Sequence, residues 1–334
     1  MHFALDDQIA SQPEAVRSLL KRIQVPTLAQ DRPIIFTGIG TSLHACTIAA
    51  QWTTELSGGA LRPAVVNAHE LALNSPIRAI DQIVVVSHRG NKHFPGEVLA
   101  KAQKAGATTI AISGEETQHI PADVVIRTCP GERSGTHTVS YVTALAALGR
   151  LVAAFVGSSG NVLTSALENV PAAIADTLAI PAPLTQAEHL TRHEPILVTG
   201  AGLDAITASE AALKIKEGTY QWAEGMPIEL ALHGPPAAFR PGMGAITITS
   251  ARDDGGRTQT LRTVLADLGI EGITCGEQNE DLRFASVHPL VRPLVAIVPL
   301  QRLVAEMARI RGTNPDAIHR DVEPWNTAMG RIAL

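Results

Sequence analysis

The chain has 334 residues, 45% of them hydrophobic and only 3% aromatic, so it is long enough for two domains of about 150 residues with cores of Ala, Val, Leu and Ile. A formal net charge of −5 without a clustered basic stripe argues against a nucleic-acid-binding protein. Cys46, Cys129 and Cys275 have neither CxxC nor Cys/His spacing, which indicates reduced core residues and argues against a disulfide framework or a zinc site.

The sequence has no recognisable secretory or membrane-spanning segment. Residues 1–20 lack a basic stretch followed by an apolar core. The most apolar run, residues 139–156, contains Ser140, Thr143 and Arg150, and is typical of a buried helix rather than of a membrane span. We therefore expect a cytoplasmic protein without membrane partners.

The predicted elements alternate between helices and short β-branched runs. A helix is predicted over residues 5–24, ended by Pro26, and another over 95–106. A buried helix over 139–157 and a Pro-punctuated helical connection over 162–193 follow. Strands are predicted at 33–38, 82–87, 108–113, 122–128, 195–200, 244–250, 272–275 and 293–300. Continuous apolar strands alternating with helices indicate α/β domains with parallel sheets covered on both faces.

An internal repeat supports two domains. IIFTGIGTSLHA (34–45) and ILVTGAGLDAITA (196–208) both consist of a strand, a TGxG turn and the start of a helix, which predicts a duplicated α/β domain. The predicted organisation is an N-terminal helix over 1–30, a first domain over 31–160, a helical linker over 161–193, a second domain over 194–320 and a C-terminal tail over 321–334.

The first TGxG turn is a candidate anion site. A turn that ends a parallel strand and opens a helix presents backbone N–H groups at the positive helix end. After Gly40, Thr41 and Ser42 add hydroxyl donors, although simple N-capping of the helix is an alternative role. There is no full GxGxxG with an acidic residue about twenty positions on, which argues against a dinucleotide-dependent oxidoreductase.

A second candidate loop follows the 82–87 run. It reads Ser87-His88-Arg89-Gly90-Asn91-Lys92, and ligands in open α/β sheets gather at such carboxyl ends of strands. Its three potentially cationic side chains suit an anion. A solvated basic loop is the alternative interpretation.

A third candidate is the helix that follows the second TGxG turn. Spacings of four and three residues place Glu210, Lys214 and Glu217 on one helical face. The roughly opposite positions are Ala208, Ala211, Ala212, Ile215 and Trp222. The structural alternative is a solvated charged face, in which each Glu–Lys pair stabilises the helix by about a few tenths of a kcal/mol. A His-Gly-Pro-Pro loop follows at residues 233–236.

Taken in order, several segments make nearly the whole chain resemble the double sugar-isomerase (SIS) domain proteins. The matching segments are GIGTSLHA (38–45), AKAQKAGATTIAIS (100–113), SEAALKIKEGTYQWAEG (209–225), LHGPPA (232–237) and GTNPD (312–316). The chain is similar to the isomerase half of glucosamine-6-phosphate synthase and to amino-sugar-phosphate deaminases and deglycases. The resemblance implies two SIS domains related by duplication, each a three-layer αβα sandwich around a flavodoxin-like central parallel sheet.

The resemblance also implies a phosphosugar site without metal or cofactor. It assigns Glu217 as the base that moves a proton between C1 and C2, His233 as the ring-opening residue supplied by the neighbouring subunit of a homodimer, and Lys214 as an electrostatic helper. These types suit the chemistry, because a shielded carboxylate can have a raised pKa and histidine exchanges protons near neutrality. A lysine can stabilise an enediolate oxygen without a metal. The implied phosphate-binding positions are Gly40, Thr41, Ser42, Ser87, Thr136, His137 and Thr138, to which the charged loop adds His88, Arg89 and Lys92.

The chain departs from the family pattern in three places. Arg89 and Lys92 stand where phosphate-binding hydroxyls are usual, so we expect a substrate more acidic than a simple hexose 6-phosphate. The third loop reads Gly-Thr-His-Thr-Val-Ser over 135–140. Met329 stands at the position of the tail lysine and cannot form a Schiff base, and the nearby Arg331 does not replace it chemically.

We therefore expect an enzyme acting on a phosphorylated sugar or amino sugar. It would isomerise an aldose/ketose 6-phosphate, or deaminate or deglycate an amino-sugar 6-phosphate, through a C1–C2 proton shift. The alternative is a sugar-phosphate-binding sensor without turnover. Because the chain starts Met1-His2 and enters the first SIS unit by about residue 33, we do not expect glutamine-dependent amide transfer by this chain alone.

Overall fold

A computed structural model describes residues 1–332 and contains two parallel sheets connected by helices. The helices are α1 (Ala4–Arg22), α2 (Thr41–Leu56), α3 (Ala68–Leu73), α4 (His93–Ala105), α5 (Val139–Phe155), α6 (Asn161–Ala179), α7 (Leu184–Leu190), α8 (Leu203–Thr219), α9 (Ile228–Leu232), α10 (Arg257–Asp267), α11 (Arg292–Arg311) and α12 (Trp325–Gly330). The strands are β1 (Ile34–Gly38), β2 (Ala64–Asn67), β3 (Gln82–Val86), β4 (Thr108–Ser113), β5 (Val124–Arg127), β6 (Ile196–Gly200), β7 (Ala223–Pro227), β8 (Gly244–Ile248), β9 (Gly272–Gly276) and β10 (Leu282–Arg283).

The two five-stranded sheets have the same topology. Their strand orders are β2-β1-β3-β4-β5 and β10-β9-β8-β6-β7, and each pair of neighbours is parallel. Numbered within its own sheet, each order is the flavodoxin-like 2-1-3-4-5. The predicted α/β fold with two parallel sheets is thereby confirmed, and the shared order is what a duplication predicts.

The chain divides into two compact units that each hold one sheet. Within the described residues, the N-sheet unit consists of residues 14–132, 139–169 and 330–332. The C-sheet unit consists of residues 1–13, 133–138 and 170–329. Neither unit is continuous in sequence.

The N-sheet unit has a core of β-branched strands against apolar helices. Every residue of β3 is buried, so both faces of this strand are covered, as expected for a parallel sheet. Ile83 and Val85 of β3 share a hydrophobic cluster with Val98 and Leu99 of α4. The core therefore holds the carboxyl end of β3 in place.

The C-sheet unit packs α8 closely against α11. A Cβ added at Gly218 would lie 2.4 Å from the Val304 side chain, so a larger residue does not fit there. The loop between α11 and α12 also anchors the start of the chain, because the Asp316 carboxylate accepts hydrogen bonds from the backbone N–H groups of Ala4 (2.7 Å) and Leu5 (3.0 Å). The GTNPD segment thus connects the two ends of this unit.

One predicted strand is wrong. Residues 293–300 lie in α11, where nearly every side chain of this stretch is fully buried. A short apolar run does not distinguish a buried strand from a helix buried all round. The helical pattern continues through residues 301–311, and Pro299 would have removed a hydrogen bond from a central strand.

Three strands were not predicted, and all three lie at sheet edges. They are β2, β7 and β10, which have short or weakly apolar sequences such as AEGMP in β7. An edge strand is bonded on one side only and needs less apolar sequence.

The expectation that Trp222 lies on the apolar face of the α8 helix is also wrong. This residue follows α8, and its side chain is 62% exposed beside Lys216.

Two further expectations are confirmed within residues 1–332. The helix predicted over 139–157 is α5, whose residues are almost all buried. The three cysteines are free and buried. No helix in this described part of the chain combines the length and apolarity needed to cross a membrane.

Candidate functional site

The two TGxG turns have the same backbone geometry. Gly40 has φ 56° and ψ −126°, and Gly202 has φ 57° and ψ −126°. A positive φ of this kind favours glycine. A Cβ added at Gly38 would lie 2.8 Å from the Ser42 Cβ, and one at Gly200 would lie 2.6 Å from the Asp204 backbone. The repeated glycines therefore let each helix start directly against the strand that precedes it.

The two predicted anion loops of the N-sheet unit leave the same sheet edge. β1 and β3 are parallel neighbours, with Thr37 in register with Val85. This pair is the topological switch point of the sheet, where ligands of open α/β folds bind. Gly40 is the N-cap of α2, and Thr41 and Ser42 lie in the first helical turn. The loop at 39–42 and the loop at 87–92 thus lie side by side.

Residues after β4 hold the 87–92 loop. The carbonyl oxygen of His88 accepts hydrogen bonds from the Gly114 N–H (2.9 Å), the Ser113 hydroxyl (3.1 Å) and the Thr117 hydroxyl (3.2 Å). The Ser87 hydroxyl is buried and has no hydrogen-bond partner among the described residues. A buried hydroxyl without a partner is costly unless a ligand satisfies it. Ser87 therefore stays a candidate ligand-binding residue.

His88 differs from its two cationic neighbours. Its ring packs against Gly114, where a Cβ would lie 2.8 Å from ring atom Cε1. Burial, with a smaller contribution from the Arg89 charge, lowers the pKa of His88 to about 4. His88 is thus neutral at pH 7, and the positive charge of this loop comes from Arg89, which is exposed, and Lys92, which is half-buried.

The buried neutral state of His88 predicts acid destabilisation of the N-sheet unit. Between the ordinary pKa of 6.5 and the folded value of about 4, the unfolded chain binds a proton that the folded chain does not. This contribution to stability is therefore complete above pH 6.5 and falls by up to about 3 kcal/mol as the pH drops to 4. Urea unfolding of the wild type and His88→Gln across this range measures it. The variant should lose less stability on acidification, and parallel curves would contradict the assignment.

At the switch point of the second sheet, a buried arginine takes the place of a ligand. The Arg292 guanidinium forms an ion pair with Asp204 (3.1 Å) and another with Glu277 (2.5 Å), and it donates a hydrogen bond to the Thr249 carbonyl (2.6 Å). Burial raises the pKa of the Asp204 carboxyl, and the Arg292 charge opposes that rise. The arginine therefore compensates a carboxylate that is out of contact with water.

These partners occupy the positions that correspond to the anion loops of the first sheet. Asp204 lies in α8 where Ser42 lies in α2, and Thr249 follows β8 as Ser87 follows β3. In the second sheet this edge is filled by internal ion pairs. The first sheet has hydroxyl groups at this edge, whereas the second has the Arg292 ion pairs, so the first is the better candidate for binding an anion.

The charged face of α8 is buried. Glu210 and Lys214 are each 1% exposed, so the solvated-face alternative is wrong. The Lys214 Nζ atom lies 2.6 Å from Glu217 Oε2 and 3.4 Å from Glu210 Oε1. Only the Glu217 side chain, at 24%, retains appreciable exposure. The helix therefore presents one accessible carboxylate backed by a buried lysine and a second carboxylate.

The end of α8 is fixed by the GTNPD loop. The Thr313 hydroxyl donates to the Gly218 carbonyl (2.7 Å), and the Tyr220 hydroxyl donates to the Asn314 carbonyl (2.9 Å). Tyr220 caps the helix with a positive φ of 59°. These bonds immobilise the helical turn that carries Glu217.

The same loop holds the predicted third phosphate loop. The Thr136 hydroxyl donates to the Pro315 carbonyl (2.8 Å), and the Gly135 N–H donates to the Asp316 carbonyl (2.8 Å). Thr136 and Thr138 are fully buried, and His137 is half-buried. The hydroxyl of Thr136 is thus engaged in holding this segment beside α8.

His233 lies at the end of α9, and its side chain is 72% exposed. Its Nε2 atom lies 2.8 Å from Glu229 Oε1. Glu229 Oε2 in turn lies 2.7 Å from the Arg257 Nε atom. Met329, at the tail-lysine position, lies in α12. The structure thus joins Lys214 with Glu217, and His233 with two residues that were not predicted.

Sequence reasoning missed several of these contacts. Ser113 ends β4 as Ser87 follows β3, so its position at the end of a predicted strand was a usable signal. Glu229 precedes His233 by one helical turn, which was a weaker signal. Arg292 gave none, because the residues that follow it, 293–300, were interpreted as a strand. No cluster of three or more His, Cys, Asp or Glu side chains able to hold a metal occurs in the part of the chain that the structure describes.

Comparison with known proteins identifies a SIS domain over residues 27–155. The chain is 26% identical over 341 residues to a glutamine–fructose-6-phosphate aminotransferase (isomerizing) of Symbiobacterium thermophilum, which covers 94% of the chain and 55% of that protein. The chain thus spans about half the length of the curated relatives it matches.

Solved structures show the same fold over nearly the whole chain. The C-terminal domain of glucosamine-fructose-6-phosphate aminotransferase from Francisella tularensis has a TM-score of 0.84 at 22% identity, covering 95% of this chain and 98% of that one. Tagatose-6-phosphate ketose/aldose isomerase from Escherichia coli has a TM-score of 0.77 at 17% identity, covering 96% of each chain. The chain therefore contains a SIS domain over residues 27–155, and over nearly its whole length it is similar to the C-terminal, isomerase half of the glutamine–fructose-6-phosphate aminotransferases.

Proposed function

We propose that this chain is an enzyme that moves a proton between C1 and C2 of a phosphosugar. The observation that carries the proposal is the buried Glu210–Lys214–Glu217 row on α8, in which Glu217 alone is accessible. A carboxylate held against a lysine can accept a proton alpha to a carbonyl while the ammonium stabilises the developing charge. A module that only binds a ligand has no need of this arrangement.

The phosphate is proposed to bind at the switch point of the first sheet. The Gly40 turn, the first-turn hydroxyls of α2 and the buried Ser87 hydroxyl all suit a phosphate group. Arg89 and Lys92 add positive charge at the same edge. His88 would contribute as a neutral donor.

The reaction is proposed to be aldose–ketose isomerisation, or deamination or deglycation of an amino-sugar 6-phosphate through the same shift. His233 is proposed to open the sugar ring in the neighbouring subunit of a homodimer. Its high exposure in a single chain agrees with that role. The similar proteins are named for their action on sugar 6-phosphates, which supports this substrate class.

Proton–deuterium exchange tests the proposal. NMR in D₂O would follow exchange at C2 of aldoses or C1 of ketoses across hexose, hexosamine and acidic-sugar 6-phosphates. We expect exchange with at least one of them, and that substrate identifies the sugar class. Tight binding across the panel without any exchange would overturn the enzyme proposal.

One observation favours the second candidate, a sugar-phosphate sensor without turnover. Met329 lies at the tail-lysine position and offers no amine. A sensor should bind a phosphosugar and show no exchange with any of them. The exchange experiment therefore separates the two candidates.

Arg89 predicts a preference for a second anionic group. Its guanidinium is exposed beside the Ser87 loop, where it can form a bidentate pair with a carboxylate. We expect a 6-phosphosugar that carries an additional carboxylate to bind about tenfold more tightly than its neutral counterpart, and Arg89→Gln to remove that difference. Calorimetric titration of both ligands measures it. Tighter inhibition by a neutral sugar phosphate than by any acidic analogue would contradict the prediction.

A further inference from the structure

His233 is linked to two residues that have no role in the reaction proposed above. Glu229 begins the exposed face of α9 one helical turn before His233, and the two side chains lie 2.8 Å apart. The second oxygen of the same carboxylate pairs with Arg257 at 2.7 Å. Glu229 thus bridges His233 and Arg257 with both of its oxygens.

The packing of α9 explains why the bridge forms. Ile228 and Ala231 of α9 share a hydrophobic cluster with Leu261 and Leu265 of α10. This packing turns Glu229 toward the start of α10, where Arg257 is the first helical residue. The two helices therefore hold the carboxylate and the guanidinium together.

The start of α10 is itself well anchored. The Asp254 carboxylate accepts hydrogen bonds from the Thr258 N–H (2.8 Å) and the Gly256 N–H (2.9 Å). Such capping stabilises the first turn of a helix. The Arg257 side chain thus extends from a fixed backbone position, and this limits how far the paired Glu229 side chain can move.

The bridge determines which nitrogen of His233 can react. A carboxylate only accepts hydrogen bonds, so Nε2 must carry a proton and donate it in the hydrogen bond to Glu229. The Nδ1 atom then has a free lone pair. A carboxylate that orients a histidine in this way fixes the reactive tautomer and stabilises the imidazolium that forms.

We propose that Glu229, held by Arg257, is the positioning residue that orients His233 for ring opening. The inference rests on the proposed function. In ring opening of an aldose, Nδ1 takes the proton of the C1 hydroxyl, C1 becomes a carbonyl, the C1–O5 bond breaks, and O5 receives the proton back from the imidazolium. Glu229 touches none of these atoms and acts through His233.

Two test substrates distinguish ring opening from the proton shift at C2. A hexose 6-phosphate must open its ring, whereas a tetrose 4-phosphate has no free hydroxyl able to close one. We expect Glu229→Gln to lower kcat with the hexose about tenfold, the loss of one charge-assisted hydrogen bond, and to leave kcat with the tetrose unchanged. Arg257→Gln should lower the hexose rate about two- to threefold.

The matched control is Glu271→Gln, which removes the exposed carboxylate that pairs with half-buried His189 at 3.8 Å. It should change neither rate. An equal loss with both sugars in Glu229→Gln, or no loss with either, would overturn the inference.

A second measurement needs no turnover. The ¹⁵N shifts of His233 report which ring nitrogen carries the proton. We expect the Nε2–H form in the wild type and a larger Nδ1–H fraction in Glu229→Ala. Identical tautomer populations would overturn the inference even if the enzyme is active. Absence of exchange in the wild type would instead overturn the proposed function, while the ¹⁵N result still decides the role of Glu229.

Discussion

Replacing Glu217 with Gln should reduce deuterium exchange at C2 about 10³-fold, because general base catalysis by one positioned group contributes about 10²–10⁴. The amide keeps an oxygen that can accept the hydrogen bond from Lys214, which lies 2.6 Å from the carboxylate. The helix should therefore remain intact while its base is lost. Single-turnover exchange monitored by NMR, together with binding of the sugar phosphate, measures both properties.

The control for this variant is Glu224→Gln. Glu224 lies on the edge strand β7 and is exposed, so the same chemical change should leave exchange and binding unaltered. Retained binding with lost exchange in Glu217→Gln supports a base. Wild-type exchange in Glu217→Gln would show that the proton is removed by another group.

Replacing Arg292 with Ala should destabilise the C-sheet unit by about 3–5 kcal/mol. The variant leaves the buried Asp204 carboxylate without its partner and frees the Thr249 carbonyl. For a unit of this size, that loss corresponds to a fall in Tm of roughly 10 °C. Differential scanning calorimetry measures it.

The comparison variants test the cause. Arg17→Ala removes an exposed ion pair with Glu14 and should cost less than about 1 kcal/mol. A triple variant, Arg292→Met with Asp204→Asn and Glu277→Gln, removes every charge of the network and should regain much of the stability. An Arg292→Ala variant as stable as Arg17→Ala would mean that the network contributes little.

The repeat of strand, turn and helix could be predicted from the sequence because it depends on local rules. A TGxG turn requires glycine where φ is positive and where the helix touches the strand, and both copies obey this at Gly40 and Gly202. Continuous apolar runs identified the central strands, since those strands are buried on both faces. The parallel α/β fold followed from these two local signals.

Only the tertiary structure shows that residues 293–300 belong to helix α11 and not to a strand. Its apolar residues are buried all round, so no periodicity marks a face. The edge strands β2, β7 and β10 were not predicted for the opposite reason. An edge strand is bonded to a neighbour on one side only, so its sequence needs fewer apolar side chains. Neither case is decided by residues close in sequence.

For the candidate site, the sequence by itself determined the spacing of Glu210, Lys214 and Glu217 and the hydroxyls of the first turn. Only the tertiary structure decided which charges are buried. Packing excludes water from Lys214 and from the ring of His88, and it directs Arg292 into the second sheet's switch point. Burial and pairing are set by distant segments that cover a side chain, so the roles of these groups follow from the fold rather than from their neighbours in the chain.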